Sequence, residues 1–288
     1  MNRSLGASAP GVSGTGPHRD EHTTALERID TTVAHPARRY NYWLGGRDNF
    51  APDRESGDRI AELFPAVVSA ARENRAFLGR SVQFLAEQGV RQFLDIGTGL
   101  PDADNTHEVA QRIAADSRVV YVDNDPIVLT HARALLTGTD AGTVAYLDQD
   151  LRDPTGMLNA PALTATLDLA QPVGLLLVAV LHFIAEDEHP QHIVAELLDV
   201  LASGSYLVLS HGTADFLTDE QRAALPALTT GDTAGFHPRS RDELTGWLTG
   251  LDLIDPGLVS VVDWRPASTS LYRAEDIGVY GVVARKGG

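Results

Sequence analysis

The chain has 288 residues, 43% of them hydrophobic, with a formal net charge of −16 and no cysteine. That length allows one large domain, or one domain with an extension, around a sizeable core. The acidic balance sets nucleic acid and anionic membranes aside as partners, and the missing thiol removes cysteine nucleophiles, zinc–thiolate sites and iron–sulfur clusters.

Lys286 is the only lysine, so Schiff-base chemistry and a phosphate-cradling lysine are also set aside. The longest apolar run, Val173 to Ile184, is too short to span a bilayer. The N-terminus lacks the apolar core of a signal peptide, and the expected location is cytoplasmic.

Residues 1–24 are rich in Gly, Ser, Pro and charge and read as a disordered tail. Residues 25–88 read as a helical cap or lid. It contains the unusual stretch "RRYNYWLGGRDNF" (Arg38–Phe50) and a helix from about Ala66 to Gln88, on which Leu78, Val82 and Leu85 share one face. Residues 89–288 then alternate strand and helix. Strands are expected at Arg91–Ile96, Arg118–Asp123, Thr143–Asp150, Pro172–Ile184 and Ser205–His211. Helices are expected after Asn105, with Glu108 closing a capping box, from Pro126 to Gly138, from His189 to Gly204, and after Ser240. "GLVSVVDW" and "DIGVYGVVARK" read as two strands too close for a crossover helix, so they pair antiparallel. The sum is an α/β, doubly wound, mostly parallel sheet with an antiparallel terminal strand and an N-terminal helical cap.

Asp95, Asp123 and Asp150 fall at the ends of the first three strands, where such a sheet binds its ligands. Gly97-Thr98-Gly99 follows the first of them and permits a tight turn and close ligand approach. Asp123 is placed to accept from two ribose hydroxyls, and Asp150 to meet an adenine amine. A pyrophosphate is disfavoured: the third glycine is missing, and Asp102 and Asp104 follow instead. S-adenosylmethionine carries no phosphate, and its ammonium suits Asp95.

"LDIGTGLP", "VVYVDNDP" and "DQDLRDP" resemble the three cofactor motifs of class I S-adenosylmethionine-dependent methyltransferases. The joint presence of "ARRYNYWLGGRDNF" and "FLDIGTGLP" is similar to an actinobacterial S-adenosyl methyltransferase family, most of whose members lack a known substrate. The class I resemblance covers roughly Gly89 to Lys286. It implies a Rossmann-like seven-stranded sheet, S-adenosyl-L-methionine as cofactor, and Asn124 and Leu151 beside the adenine.

Within the aromatic–glycine stretch, Arg47 is the candidate partner for the methionine carboxylate, followed by Tyr40, Asn49 and Phe50. His182 and His211, at the ends of the fourth and fifth strands, are the candidate catalytic bases, with His237 nearby. No metal site is expected. The Asp/Asn-Pro-Pro-aromatic motif of DNA amino-group methylation and the cytosine-directed cysteine are absent, which leaves a small-molecule methyl acceptor, a metabolite hydroxyl or amine, with a protein acceptor still open. A homodimer is compatible with the sequence. The alternatives are a binding protein that senses S-adenosylmethionine or a related nucleoside without turnover, and a Rossmann dehydrogenase, which the acids after Gly99 disfavour.

Overall fold

The computed structural model describes residues 29–128, 130, 139 and 141–288. The expected tail 1–24 and most of the expected helix from Pro126 to Gly138 lie outside the described residues. Among the described residues no helix is long and apolar enough to cross a membrane.

Three helices come first: α1 (Pro36–Leu44), α2 (Ala51–Leu63) and α3 (Val67–Glu87). The alternating region follows as β1 (Gln92–Ile96), α4 (Thr106–Ile113), β2 (Arg118–Asp123), β3 (Thr143–Asp148), α5 (Pro154–Leu158), α6 (Pro161–Thr166), β4 (Gly174–Val178), α7 (Pro190–Asp199) and β5 (Tyr206–Gly212). The chain closes with α8 (Asp219–Leu228), α9 (Arg241–Trp247), β6 (Leu251–Leu253), β7 (Val259–Ser260), α10 (Ala274–Ile277) and β8 (Val279–Lys286).

The strand order is β3-β2-β1-β4-β5-β8-β6. The first five strands are parallel, with Asp95 opposite Tyr121 and Leu176 in register. The order reverses between β1 and β4, and a ligand crevice opens at such a reversal, outside the carboxyl ends of the strands. Side chains alternate across the sheet. Leu175 and Leu177 face the core under α5, α6 and α7, whereas Phe93, Leu176 and Val208 face α3, where Phe77, Val82 and Leu85 meet them.

Among the described residues the sheet has eight strands rather than seven; the two expected closing strands do pair antiparallel, but the first is much shorter than expected. "GLVSVVDW" contributes only the two residues of β7, paired to β8. Beyond them the chain turns inward. Trp264 is fully buried against Phe77, and Arg80 of α3 takes the carbonyls of Val261 and Trp264, so these oxygens serve no strand ladder. The edge strand is β6, too short and too exposed to leave an alternating pattern.

The fourth strand also stops early. It ends at Val178 because Ala179 adopts φ +54, and a short 3-10 turn, Leu181–Phe183, follows. A left-handed conformation costs an alanine about 1 kcal/mol. Ala179→Gly is therefore expected to raise stability by up to about 1 kcal/mol; urea unfolding checks it, and a loss of stability would show that the alanine side chain contributes packing that outweighs the strain.

Candidate active site

One cavity of about 500 Å³ is lined by residues of α1, α2 and α3 and by the crevice at the β1–β4 reversal. Its lining includes the glycine turn and the strand-end acids, together with apolar and aromatic side chains, among them Trp43, Phe64, Phe183, Phe216, Leu225 and Phe236.

The glycine turn is shaped by its neighbours. Gly97 has φ +72, and a Cβ there would stand 2.3 Å from Val180 Cγ2. Gly99 has φ +68 and nothing within 4 Å of where its Cβ would be, so the backbone itself is the wall. The Gly99 N–H donates to Asp123 Oδ2 at 2.8 Å, and the Asp125 N–H donates to Asp123 Oδ1 at 2.9 Å. Thr98 Oγ1 donates to the Asp95 carbonyl at 3.0 Å. Together these bonds fix the turn between β1 and β2.

Asp95 and Asp123 are both buried, and burial pushes each carboxyl up to about 6. Asp95 accepts from Thr106 Oγ1 at 2.6 Å. Burial is costly for a carboxylate, and at Asp95 it outweighs the Thr106 hydrogen bond and the Arg75 charge, so both positions favour a ligand that brings donors or positive charge. Asp150 differs. It is half-exposed, and although burial alone would raise it, hydrogen bonds from the Arg152 backbone and Asn124 with the Arg152 charge hold it below its ordinary value. Asn124 Nδ2 donates to Asp150 Oδ2 at 2.9 Å, which joins the ends of β2 and β3. Leu151 completes this side of the wall.

The remaining expected site residues fall on and off the wall. Tyr40 lines the cavity; its hydroxyl donates to the Ala71 carbonyl at 2.7 Å and accepts from Asn74 Nδ2 at 3.1 Å. Arg47 does not: it is exposed on the turn after α1. Asn49 also stands off the wall and braces that turn, donating to Asn41 Oδ1 at 2.9 Å and to the Gly46 carbonyl at 3.0 Å. Phe50 packs with Leu100, Ile127 and Val128, 5.6 Å below the Arg38 guanidinium. Asp102 and Asp104 stand off the wall too, with Asp104 paired to Arg112 at 2.6 Å. What opposes a pyrophosphate here is the buried Asp95 carboxyl.

His182 lines the cavity, whereas His211 is fully buried behind it. The His211 ring is committed on both sides: Nδ1 bonds the Gly212 carbonyl at 2.8 Å, and Arg239 Nη1 donates to Nε2 at 3.3 Å. Burial lowers its pKa to about 4. It serves as a structural strut. His237 is absent from the cavity wall, and its backbone N–H donates to the His182 carbonyl at 2.8 Å.

Three arginines escaped the sequence reading. Arg75 of α3 lines the cavity within electrostatic reach of Asp95; Nη2 donates to Asn105 Oδ1 at 2.9 Å, but its buried Nε has no partner. The adjacent Asn74 Oδ1 is likewise buried and unpartnered. Arg38 Nε donates to the buried Asp125 at 2.9 Å and pins α1 to the loop after β2. Arg39, on the same helix, reaches Asp232 at 2.5 Å and ties the cap to the segment after α8. Spacing along the chain carries no sign of these contacts, which form between residues far apart.

A family model described as S-adenosyl methyltransferase matches residues 22–287. The chain belongs to that family. It is also similar to a DUF574 family protein from Streptomyces avermitilis, at 45% identity and TM-score 0.86 over 90% of this chain and all of that one. A candidate methyltransferase from Thermobifida fusca matches at 35% identity and TM-score 0.81, over 90% of this chain and 96% of that one. No curated protein matches the sequence. Membership in the S-adenosyl methyltransferase family names the cofactor, S-adenosyl-L-methionine, and the cavity fits it. A buried acid, an open glycine turn and the unpartnered polar atoms of Asn74 and Arg75 belong to residues that line this one cavity, a set whose chemistry suits an amino-acid-bearing nucleoside.

Proposed function

We propose that this S-adenosylmethionine-dependent methyltransferase acts on a small-molecule acceptor seated against the apolar side chains of the cavity, under residues 25–88 as a cap over a binding domain of residues 89–288. The observation that carries this reading is the pair of buried acids, Asp95 and Asp123, beside the open Gly99 turn in a cavity that is also lined by apolar and aromatic side chains.

Asp123 would accept from the ribose hydroxyls, with Gly97, Thr98 and Gly99 against the nucleoside and Asn124, Asp150 and Leu151 along the adenine. Asp95 would face the ammonium. Arg75, beside Asn74 and Tyr40, would take the carboxylate in place of Arg47. When bound, S-adenosylmethionine supplies an electrophilic methyl group on a sulfonium. The chain's own contribution is to align the acceptor and exclude water, by the aromatic wall and the cap.

Arg75→Leu is expected to weaken S-adenosylhomocysteine binding about 10- to 100-fold, the worth of a charge-assisted hydrogen-bond pair. Calorimetry checks it, and unchanged affinity would move the carboxylate elsewhere. The function itself is tested by incubating the protein with methyl-labelled cofactor and a library of small aromatic hydroxyl, carboxyl and amino compounds. Label on a library member supports the proposal; label only on protein or nucleic acid added in parallel would refute the small-molecule assignment.

A further inference from the structure

Resting on the methyltransferase reading above, we propose that the acceptor is a ring-bearing acid whose reacting oxygen enters already ionised, and that His182 holds this oxygen by donating from Nε2 instead of removing a proton.

The tautomer decides the role of His182. The Gly212 backbone N–H donates to His182 Nδ1 at 3.2 Å, so Nδ1 is an acceptor without a proton. The proton of the neutral ring therefore sits on Nε2. No described residue bonds Nε2, and the ring lines the cavity. Swinging the ring to offer Nδ1 would break the Gly212 bond and disturb its contacts with Phe183 and Phe236, whose centroids lie 4.4 and 5.1 Å away. What His182 presents to a ligand is an N–H.

The charge around His182 points the same way. Burial first, then His211, Arg39, Arg239 and His237, hold its pKa well below the ordinary value, so it stays neutral. Two acids temper that field, Asp232 on Arg39 and the exposed Glu186 on Arg239. Glu275 and Asp276, which also line the cavity, are exposed and ion-paired to Arg273. The cavity beside His182 thus holds a donor, with no free base against the ring. A protonated amine would meet no proton acceptor there. An ionised carboxylate, acidic phenol or enolate needs none: one O–C bond forms, one C–S bond breaks, sulfur keeps the electron pair, and no proton leaves. The five aromatic side chains of this wall supply faces for a ring.

The test compares biphenyl-4-carboxylate with biphenyl-4-carboxamide by calorimetry on protein saturated with S-adenosylhomocysteine. The carboxylate is expected to bind at least about tenfold tighter. His182→Phe should erase that preference, His182→Gln, which keeps an N–H donor, should retain part of it, and both should bind S-adenosylhomocysteine as the unsubstituted chain does. Proton–nitrogen NMR should show the His182 proton on Nε2 from pH 5 to 8. A carboxylate that fails to bind, an amide that binds as well, a preference surviving in His182→Phe, or a proton on Nδ1 would each overturn the inference while leaving the cofactor assignment standing. Loss of S-adenosylhomocysteine binding by the unsubstituted protein would overturn both.

Discussion

Asp123→Ala is expected to weaken S-adenosylhomocysteine binding by at least about 100-fold. Two effects combine. The carboxylate is the proposed acceptor for the ribose hydroxyls, and it is also the acceptor for the Gly99 and Asp125 N–H groups, at 2.8 and 2.9 Å. Removing it takes away charge-assisted bonds to the ligand, each about 1.5–3 kcal/mol, and frees the glycine turn that shapes the wall. Asp123→Asn retains one acceptor oxygen and should fall between the two. Calorimetry on folded variants, judged by circular dichroism, reads the effect, and normal affinity in Asp123→Ala would show that the ribose lies elsewhere.

The second large effect is on pH. Asp95 and Asp123 are each pushed by burial from 3.8 to about 6. The free fold therefore holds more protons at these sites than the unfolded chain between those values. Their contribution to fold stability is complete below pH 3.8 and lost as pH rises through about 6. A ligand that donates hydrogen bonds to the ionised carboxylates reverses this preference. Binding of S-adenosylhomocysteine should tighten from pH 5 to pH 7 and level off above, with a slope near tenfold per pH unit for each carboxyl below its pKa. Asp95→Asn should remove one of the two protons from the slope. A flat affinity from pH 5 to pH 7 would show that neither acid meets a donor on the ligand.

The fold was legible in the sequence wherever burial forces a pattern. The strands buried on both faces, β1, β2, β4 and β5, stand out as apolar runs, and their end acids mark the ligand edge without any tertiary information. Capping signals were equally local: Asn105 with Glu108 closes the helix start it suggested, and the helix expected after Ser240 begins there, closed by Glu243. Features that depend on a bend were less visible. The apolar run to Ile184 hides the break at Ala179, and it is that break that turns His182 toward the cavity.

The aromatic–glycine stretch illustrates a different limit. Its residue types suit both a ligand and a turn. Gly45 at φ +87 caps α1, and Asn41 holds the Asp48 N–H and the Asn49 amide, so Arg47 and Asn49 belong to the turn. The arginine that reaches the cavity, Arg75, lies on a long helix before β1. Its aim is set by how α3 packs on the sheet, through Phe77, Val82 and Leu85, and no spacing in the chain encodes that.

The central claim is that one cavity holds S-adenosylmethionine through the β1 and β2 acids. Titrating S-adenosylhomocysteine into the folded chain by calorimetry tests it most directly. The expected result is a single site per chain with a dissociation constant on the order of micromolar at pH 7.5. An absence of binding heat across several temperatures, from protein shown to be folded, would contradict the claim.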